Sequence, residues 1–211
     1  MTARAALFAT VSLVLVVSVV TVMGQESAPP GTKIAPLPRP GPGSWWALRV
    51  WGGDLGSVER VERLAHREHG KLMILAEDRE ARYTPEWHLL EEAYPGAGVW
   101  VTYAPALPLH PFPLWEGKRW TSLVTVTTEG WLFVARSAVP VQGEAKGWEW
   151  VEVPAGKFHA LRLEIRAGLA QVTCWYAIEA QHAVKCLSLD RLRYNFDLTA
   201  FQLHQGEEPR K

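Results

Sequence analysis

The sequence predicts a mainly β domain: a curved antiparallel sheet, a half-barrel-like meander, with one or two short helices. Three observations predict it. From Trp120 onward, segments dense in Val, Thr and aromatic residues alternate apolar and polar side chains, as a pleated and half-buried surface requires. Short turn clusters built on Gly, Pro and polar residues separate these segments at close intervals. Hydrophobic residues make up 48% of the 211-residue chain and charged residues 21%, a globular composition.

The elements follow in chain order. Residues 1–24 read as a signal peptide or an N-terminal membrane anchor. Arg4 is followed by an almost purely apolar stretch from Ala5 to Gly24, and no acid precedes Glu26. Val22 and Gly24 suit the small positions before a signal-peptidase cut at Gln25. The same apolar run is also long enough to span a bilayer, with its basic end inside. Both readings place the domain outside the cytoplasm, periplasmic or secreted, and touching a membrane only through an uncleaved residue 5–24 segment. Residues 25–44 carry Pro29, Pro30, Pro36, Pro38, Pro40 and Pro42. They read as a proline-rich linker, extended and semi-rigid.

An antiparallel β-domain is expected over 45–204, and a disordered tail over 205–211. Trp45 to Trp51 reads as a strand. Within 55–69, Leu55, Val58, Val61, Leu64 and Ala65 fall at helical spacing, in conflict with the strand-like segments around them. Lys71 to Ala76 reads as a buried strand. Thr84-Pro85-Glu86 reads as a helix start, with a capping hydroxyl, a first-turn proline and an acid at the positive dipole end. That helix would run to Tyr94 and leave Glu91 and Glu92 as surface charges. Val99 to Tyr103 is a strand, and the prolines of 104–114 give an extended loop. Then follow Trp120 to Thr127, Trp131 to Val139, a connection over 140–147, Trp148 to Val153 and Phe158 to Ile165. Leu169 to Ile178, Ala183 to Leu189 and Tyr194 to Leu203 complete the meander.

Two constellations stand out. Cys174 and Cys186 are symmetric about residue 180. With Ile178 to Ala183 as the hairpin end and Tyr176 opposite Val184, the two sulfurs face each other. Antiparallel partners lie within disulfide reach, and an exported domain meets oxidising conditions. The second is tryptophan, at 11 residues. Trp148 and Trp150 share a strand face, and Trp120 and Trp131 flank one hairpin. On a concave sheet, Trp120, Trp131, Trp148, Trp150 and Trp175 would line an apolar ligand site. The alternative is that they fill the core.

Four segments together resemble a family of bacterial exported β-domains of unknown function. They are FPLWEGKRW at 112–120, GWEWVEVPAGKFHALRLE at 147–164, CWYAIEAQHAVKC at 174–186 and LTAFQL at 198–203. The family pattern joins a VPAG(T)F hairpin to a WY…VK hairpin, and the resemblance covers roughly residues 80–204. This chain departs from it at Lys157, Ile178 and Asp197. The resemblance implies a curved sheet similar to the half-barrels of periplasmic lipoprotein carriers, with an interior face that shelters apolar groups. It also favours strand over helix for 55–69.

Catalytic patterns are missing from the sequence. It holds no G-x-S-x-G elbow, no H-E-x-x-H, no G-x-G-x-x-G and no Walker motif. Glu149 and Glu152 fall on opposite faces of one strand. His66 and His69 would pair on a metal only in a helix. No metal site and no cofactor are expected. Lys plus Arg equals Asp plus Glu at 22 each, which argues against nucleic acid. The sequence therefore reads as a non-catalytic extracytoplasmic β-domain binding an apolar ligand or a lipidated segment on a Trp-rich face. Its rivals are a protein–protein assembly module of the cell envelope and, further behind, a glycan-processing enzyme.

Overall fold

The computed structural model describes residues 27–52, 56–68, 70–188 and 195–205. The predicted export segment and all of the predicted tail beyond Gln205 lie outside the described residues. The strands are β1 (Ile34–Ala35), β2 (Trp45–Trp51), β3 (Ser57–Glu68), β4 (Lys71–Leu75), β5 (Glu80–Tyr83), β6 (Leu89–Tyr94) and β7 (Val99–Leu107). They continue as β8 (Leu114–Trp115), β9 (Arg119–Gly130), β10 (Phe133–Val153), β11 (Gly156–Ala167), β12 (Ala170–Ala177), β13 (His182–Ser188) and β14 (Asn195–Gln202). β1 and β8 form a small two-stranded sheet, and the others form a barrel.

The barrel is an antiparallel meander in which each strand pairs with the next one in sequence. It closes where β14 pairs with β2, Phe196 opposite Val50 and Gln202 opposite Trp45. The predicted half-barrel-like meander thus closes into a barrel, although Phe133 to Pro140 on β10 runs beyond β11 with β9 as its partner on one side. Inward residues alternate along the walls: Trp46, Leu48, Leu64, Leu72, Ile74, Phe196 and Leu198 share one buried cluster. Leu161, Leu163, Ile165, Tyr176 and Trp120 share a second with Ala35 and Leu114. The outer wall carries ion pairs such as Arg49–Glu59, Arg82–Glu91 and Arg119–Glu144. A membrane-spanning barrel has the reverse arrangement, apolar outside and polar within.

Several expectations are corrected. No α-helix occurs among the described residues; a 3-10 turn occupies Pro95–Ala97. The helix expected from Thr84 is instead a tight turn leading into β6. Trp87 N donates to Thr84 O (2.9 Å), His88 N donates to Thr84 Oγ1 (3.2 Å), and Trp87 has φ 66°. The threonine caps a loop by the same side-chain chemistry that caps a helix. Residues 57–68 are strand, as the resemblance implied. The connection expected at 140–147 is strand as well, so β10 runs unbroken from Phe133 to Val153 with a bulge between Ala145 and Gly147.

The proline-rich segment read as a linker is docked on the barrel from Lys33 onward. Lys33 sits over Trp148, with Nζ 2.9 Å from His159 Nδ1. Ile34 and Ala35 pair with Trp115 and Leu114. Arg39 N donates to Gln181 Oε1 (2.6 Å), Trp87 Nε1 donates to Pro38 O (3.1 Å), and Gly41 N donates to His204 O (2.7 Å). Prolines pre-set the extended path, and the backbone N–H groups of Arg39, Gly41 and Gly43 find partners on the barrel.

Strict alternation gives the barrel two distinct ends. The connections at 84–88, 108–118, 154–155 and 178–181, together with the strap at 36–44, lie at one end. The turns at 76–79, 95–98, 131–132 and 168–169 lie at the other, here called the hairpin end.

Candidate functional site

A cavity of about 540 Å³, partly open to solvent, lies inside the barrel. That volume falls in the range of sites that take small organic ligands. Leu48, Ile74, Leu107, Ile165, Val172 and Phe196 supply apolar wall from β2, β4, β7, β11, β12 and β14. At the strap end the lining is Pro38, Trp87, Leu109, His110 and Phe112. At the hairpin end it reaches Ala167, Ala170 and Gln171, beside the β11–β12 turn.

One side of the cavity is polar. Arg79, at the β4–β5 turn, bridges two carboxylates that also line the cavity: Nη2 lies 2.6 Å from Glu62 Oε1, and Nη1 lies 2.9 Å from Glu92 Oε1. Tyr103 Oη donates to Glu92 Oε2 at 2.7 Å, and Tyr94 Oη donates to Glu92 Oε1 at 3.4 Å. His182 Nε2 lies 3.7 Å from Glu62 Oε2. Burial pushes the Glu62 carboxyl up. The Arg79 charge, the His182 hydrogen bond and charge, and the Arg60 charge outweigh that and bring it down to about 2. Burial, then the Glu92 charge and hydrogen bond, push Tyr103 up, so it remains a hydroxyl donor. His110, packed against Phe112 and Tyr176, is pushed down to about 4, first by burial and then by the His182 charge. It stays neutral near pH 7. The cavity is therefore apolar over most of its wall, with one fixed polar patch in which a single guanidinium holds two carboxylates.

The predicted disulfide is present. Cys174 pairs with Cys186 across β12–β13, with Cα atoms 4.1 Å apart, and both residues line the cavity. A bulge shifts the pairing beyond them, so Tyr176 faces Ala183 rather than Val184.

The five tryptophans expected at a ligand site lie elsewhere. Trp120 is buried over Gly143, with Nε1 donating to Pro108 O at 3.0 Å. Trp131 is 84% exposed at the β9–β10 turn, at the opposite end of that hairpin from Trp120. Trp148 and Trp150 do share a face, and both pack on His159, Trp148 half-buried under Lys33 and Trp150 exposed. Trp175 donates from Nε1 to Glu149 Oε1 at 2.5 Å. Trp87, inside the segment expected as a helix, lines the cavity. Sequence reasoning missed the Glu62–Arg79–Glu92 patch, although the alternation of β3 puts Glu62 on the face of Leu64. No group of three or more metal-ligating side chains occurs among the described residues. His66 is exposed on β3, and His69 lies outside the described residues.

No protein-family model matches the chain, and no curated protein matches it. The family likeness therefore rests on the hairpin residues that carry it. Among solved structures, the chain is similar to the hypothetical lipoprotein YmcC from Escherichia coli, with TM-score 0.48 and 13% identity, covering 79% of this chain and 89% of that one. It is also similar to a candidate lipoprotein from Parabacteroides distasonis, with TM-score 0.41 and 12% identity, covering 79% of this chain and 97% of that one.

Proposed function

We propose that this barrel is a non-catalytic, extracytoplasmic carrier or receptor domain that shelters an apolar chain in its interior. The observation that carries the reading is the cavity of about 540 Å³ walled by Leu48, Ile74, Ile165, Val172 and Phe196. Each methylene moved from water into such a wall contributes roughly 0.8 kcal/mol. The polar patch gives a place for one uncharged polar group of the ligand. Within it Arg79 pairs with both Glu62 and Glu92, one positive charge against two negative. The disulfide and the apolar leader support an oxidising compartment outside the cytoplasm.

The absence of catalysis belongs to the same proposal. A glycan-cleaving pair needs one carboxyl that keeps its proton near neutral pH. Glu62, at about 2, holds none there. Glu92 is engaged by Arg79, Tyr94 and Tyr103.

Gentle purification followed by native mass spectrometry and organic extraction tests the binding. A bound lipid or fatty acid is expected, with depletion in Val172→Trp, whose added ring fills the cavity. Repeated recovery of empty protein from both variants would remove the proposal.

A further inference from the structure

We propose, resting on the sheltering function above, that the strap end of the cavity holds the head of the apolar chain between His110 and Tyr176. That head is an uncharged group bearing an O–H, either an alcohol or a carboxyl that keeps its proton. Both residues line the cavity. His110 stands in the β7–β8 connection, and Tyr176 is the last residue but one of β12, so both belong to the strap end. Their ring centres lie 6.3 Å apart, and Phe112 packs edge-on against Tyr176 at 5.0 Å.

The fold gives neither polar group a partner. His110 Nε2 is buried with no hydrogen-bond partner among the described residues. Tyr176 is 2% exposed, and burial alone pushes its hydroxyl up, with no hydrogen bond or charge contributing. Buried polar groups are nearly always paired, so two left over beside each other in a cavity wall point to a partner that arrives with the ligand. The other polar place in the wall differs in this respect. There Arg79 holds Glu62 and Glu92, and Tyr94 and Tyr103 donate to Glu92.

Charge and donor count select the head. Burial first, and then the His182 charge, keep His110 neutral near pH 7. A neutral imidazole carries one N–H and one bare nitrogen, and turning the ring over exchanges the one it presents. A tyrosine hydroxyl donates one hydrogen bond and also accepts. An O–H head matches both: it donates to the bare nitrogen and accepts from the tyrosine. An ether or ester only accepts, and it leaves the nitrogen unpaired. An ionised carboxylate meets cations that are already engaged. Arg79 is held by Glu62 and Glu92, Arg60 pairs with Asp78, and Lys118 Nζ donates to Pro111 O and Pro113 O. His182, the remaining titratable neighbour, lies beside Glu62. With the head so placed, the chain follows Ile165 and Val172 toward Ala167 and Ala170 at the hairpin end.

The test displaces the fluorescent dye N-phenylnaphthylamine from the delipidated full chain. The competitors are dodecanol, its methyl ether, dodecanoic acid, its methyl ester and dodecylammonium. Dodecanol should displace the dye at about tenfold lower concentration than its ether, because the ether leaves a buried group unpaired. Lowering the pH from neutral should strengthen the acid and leave the alcohol unchanged. His110→Phe should erase the advantage of alcohol over ether, whereas Tyr176→Phe should weaken both alike; each variant keeps an aromatic ring in place. In wild type, the imidazole nitrogen resonances of His110 should shift further with dodecanol than with the ether. Equal displacement by all five competitors would overturn the head assignment and leave the sheltering function standing. Displacement by none would remove both. Tightest displacement by dodecylammonium would move the head to Glu62 and Glu92 and overturn the assignment as well.

Discussion

At Glu62 two opposing effects meet, and their balance fixes the interior. Burial alone would protonate the side chain, while Arg79 and His182 hold it ionised at about 2, below the ordinary 4.5. His110 is held down at about 4 from 6.5, chiefly by burial. Both groups bind a proton more weakly folded than unfolded. The stability they contribute is therefore complete above the unfolded values and is lost on acidification. For His110 the loss runs from pH 6.5 to about 4, and for Glu62 from 4.5 to about 2. Denaturation midpoints measured across this range should fall in two stages. His110→Phe should shrink the first stage, to which His88, also held down by burial, contributes, and Glu62→Gln should shrink the second. A flat response of wild type down to pH 4 would contradict this assignment. At neutral pH, Glu62→Gln should cost about 3 kcal/mol, the low end for a broken buried pair, because Arg79 keeps Glu92. Little of this was legible beforehand. Val58, on the same face as Glu62 and Leu64, is 49% exposed while Glu62 is buried, so hydropathy along β3 does not single out Glu62 as an inward residue.

At the scale of elements, local chemistry was legible where partners are close in sequence. The Cys174–Cys186 bridge followed from hairpin symmetry alone, and one bulge beyond it did not disturb the pair. Thr84-Pro85 misled because a capping hydroxyl serves a tight turn as well as a helix. The strand that follows is set by its pairing with β5 and β7, not by propensity. Two measurements belong here. Replacing both cysteines by alanine should lower stability by up to about 3 kcal/mol, read from denaturant midpoints without reductant. Trp87→Phe removes the indole donor to Pro38 O and should weaken the strap by about 1 kcal/mol. Hydrogen exchange at residues 36–41 should then rise while the barrel strands stay protected. Unchanged exchange would show that the strap is held by other contacts.

For the whole molecule, closure and cavity were the hardest features to foresee. Each strand announces itself through alternation, but its partner is named only when neighbours are adjacent in sequence. The seam joins β14 to β2 from opposite ends of the domain, and nothing local in 195–202 or 45–51 specifies that pairing. The concave apolar face was anticipated, but tryptophan count pointed to the wrong rings. Most of the indoles pack outside the cavity or sit at a hairpin tip, while aliphatic residues and an ionic patch centred on Arg79 line the interior. The most direct test of the account is a titration of the purified, delipidated protein with a fluorescent fatty-acid probe, wild type against Val172→Trp. The account predicts saturable uptake by wild type and at least about tenfold weaker uptake by the filled variant, a difference of about 1.4 kcal/mol. Saturable uptake of equal strength by both proteins, or by neither, would contradict it.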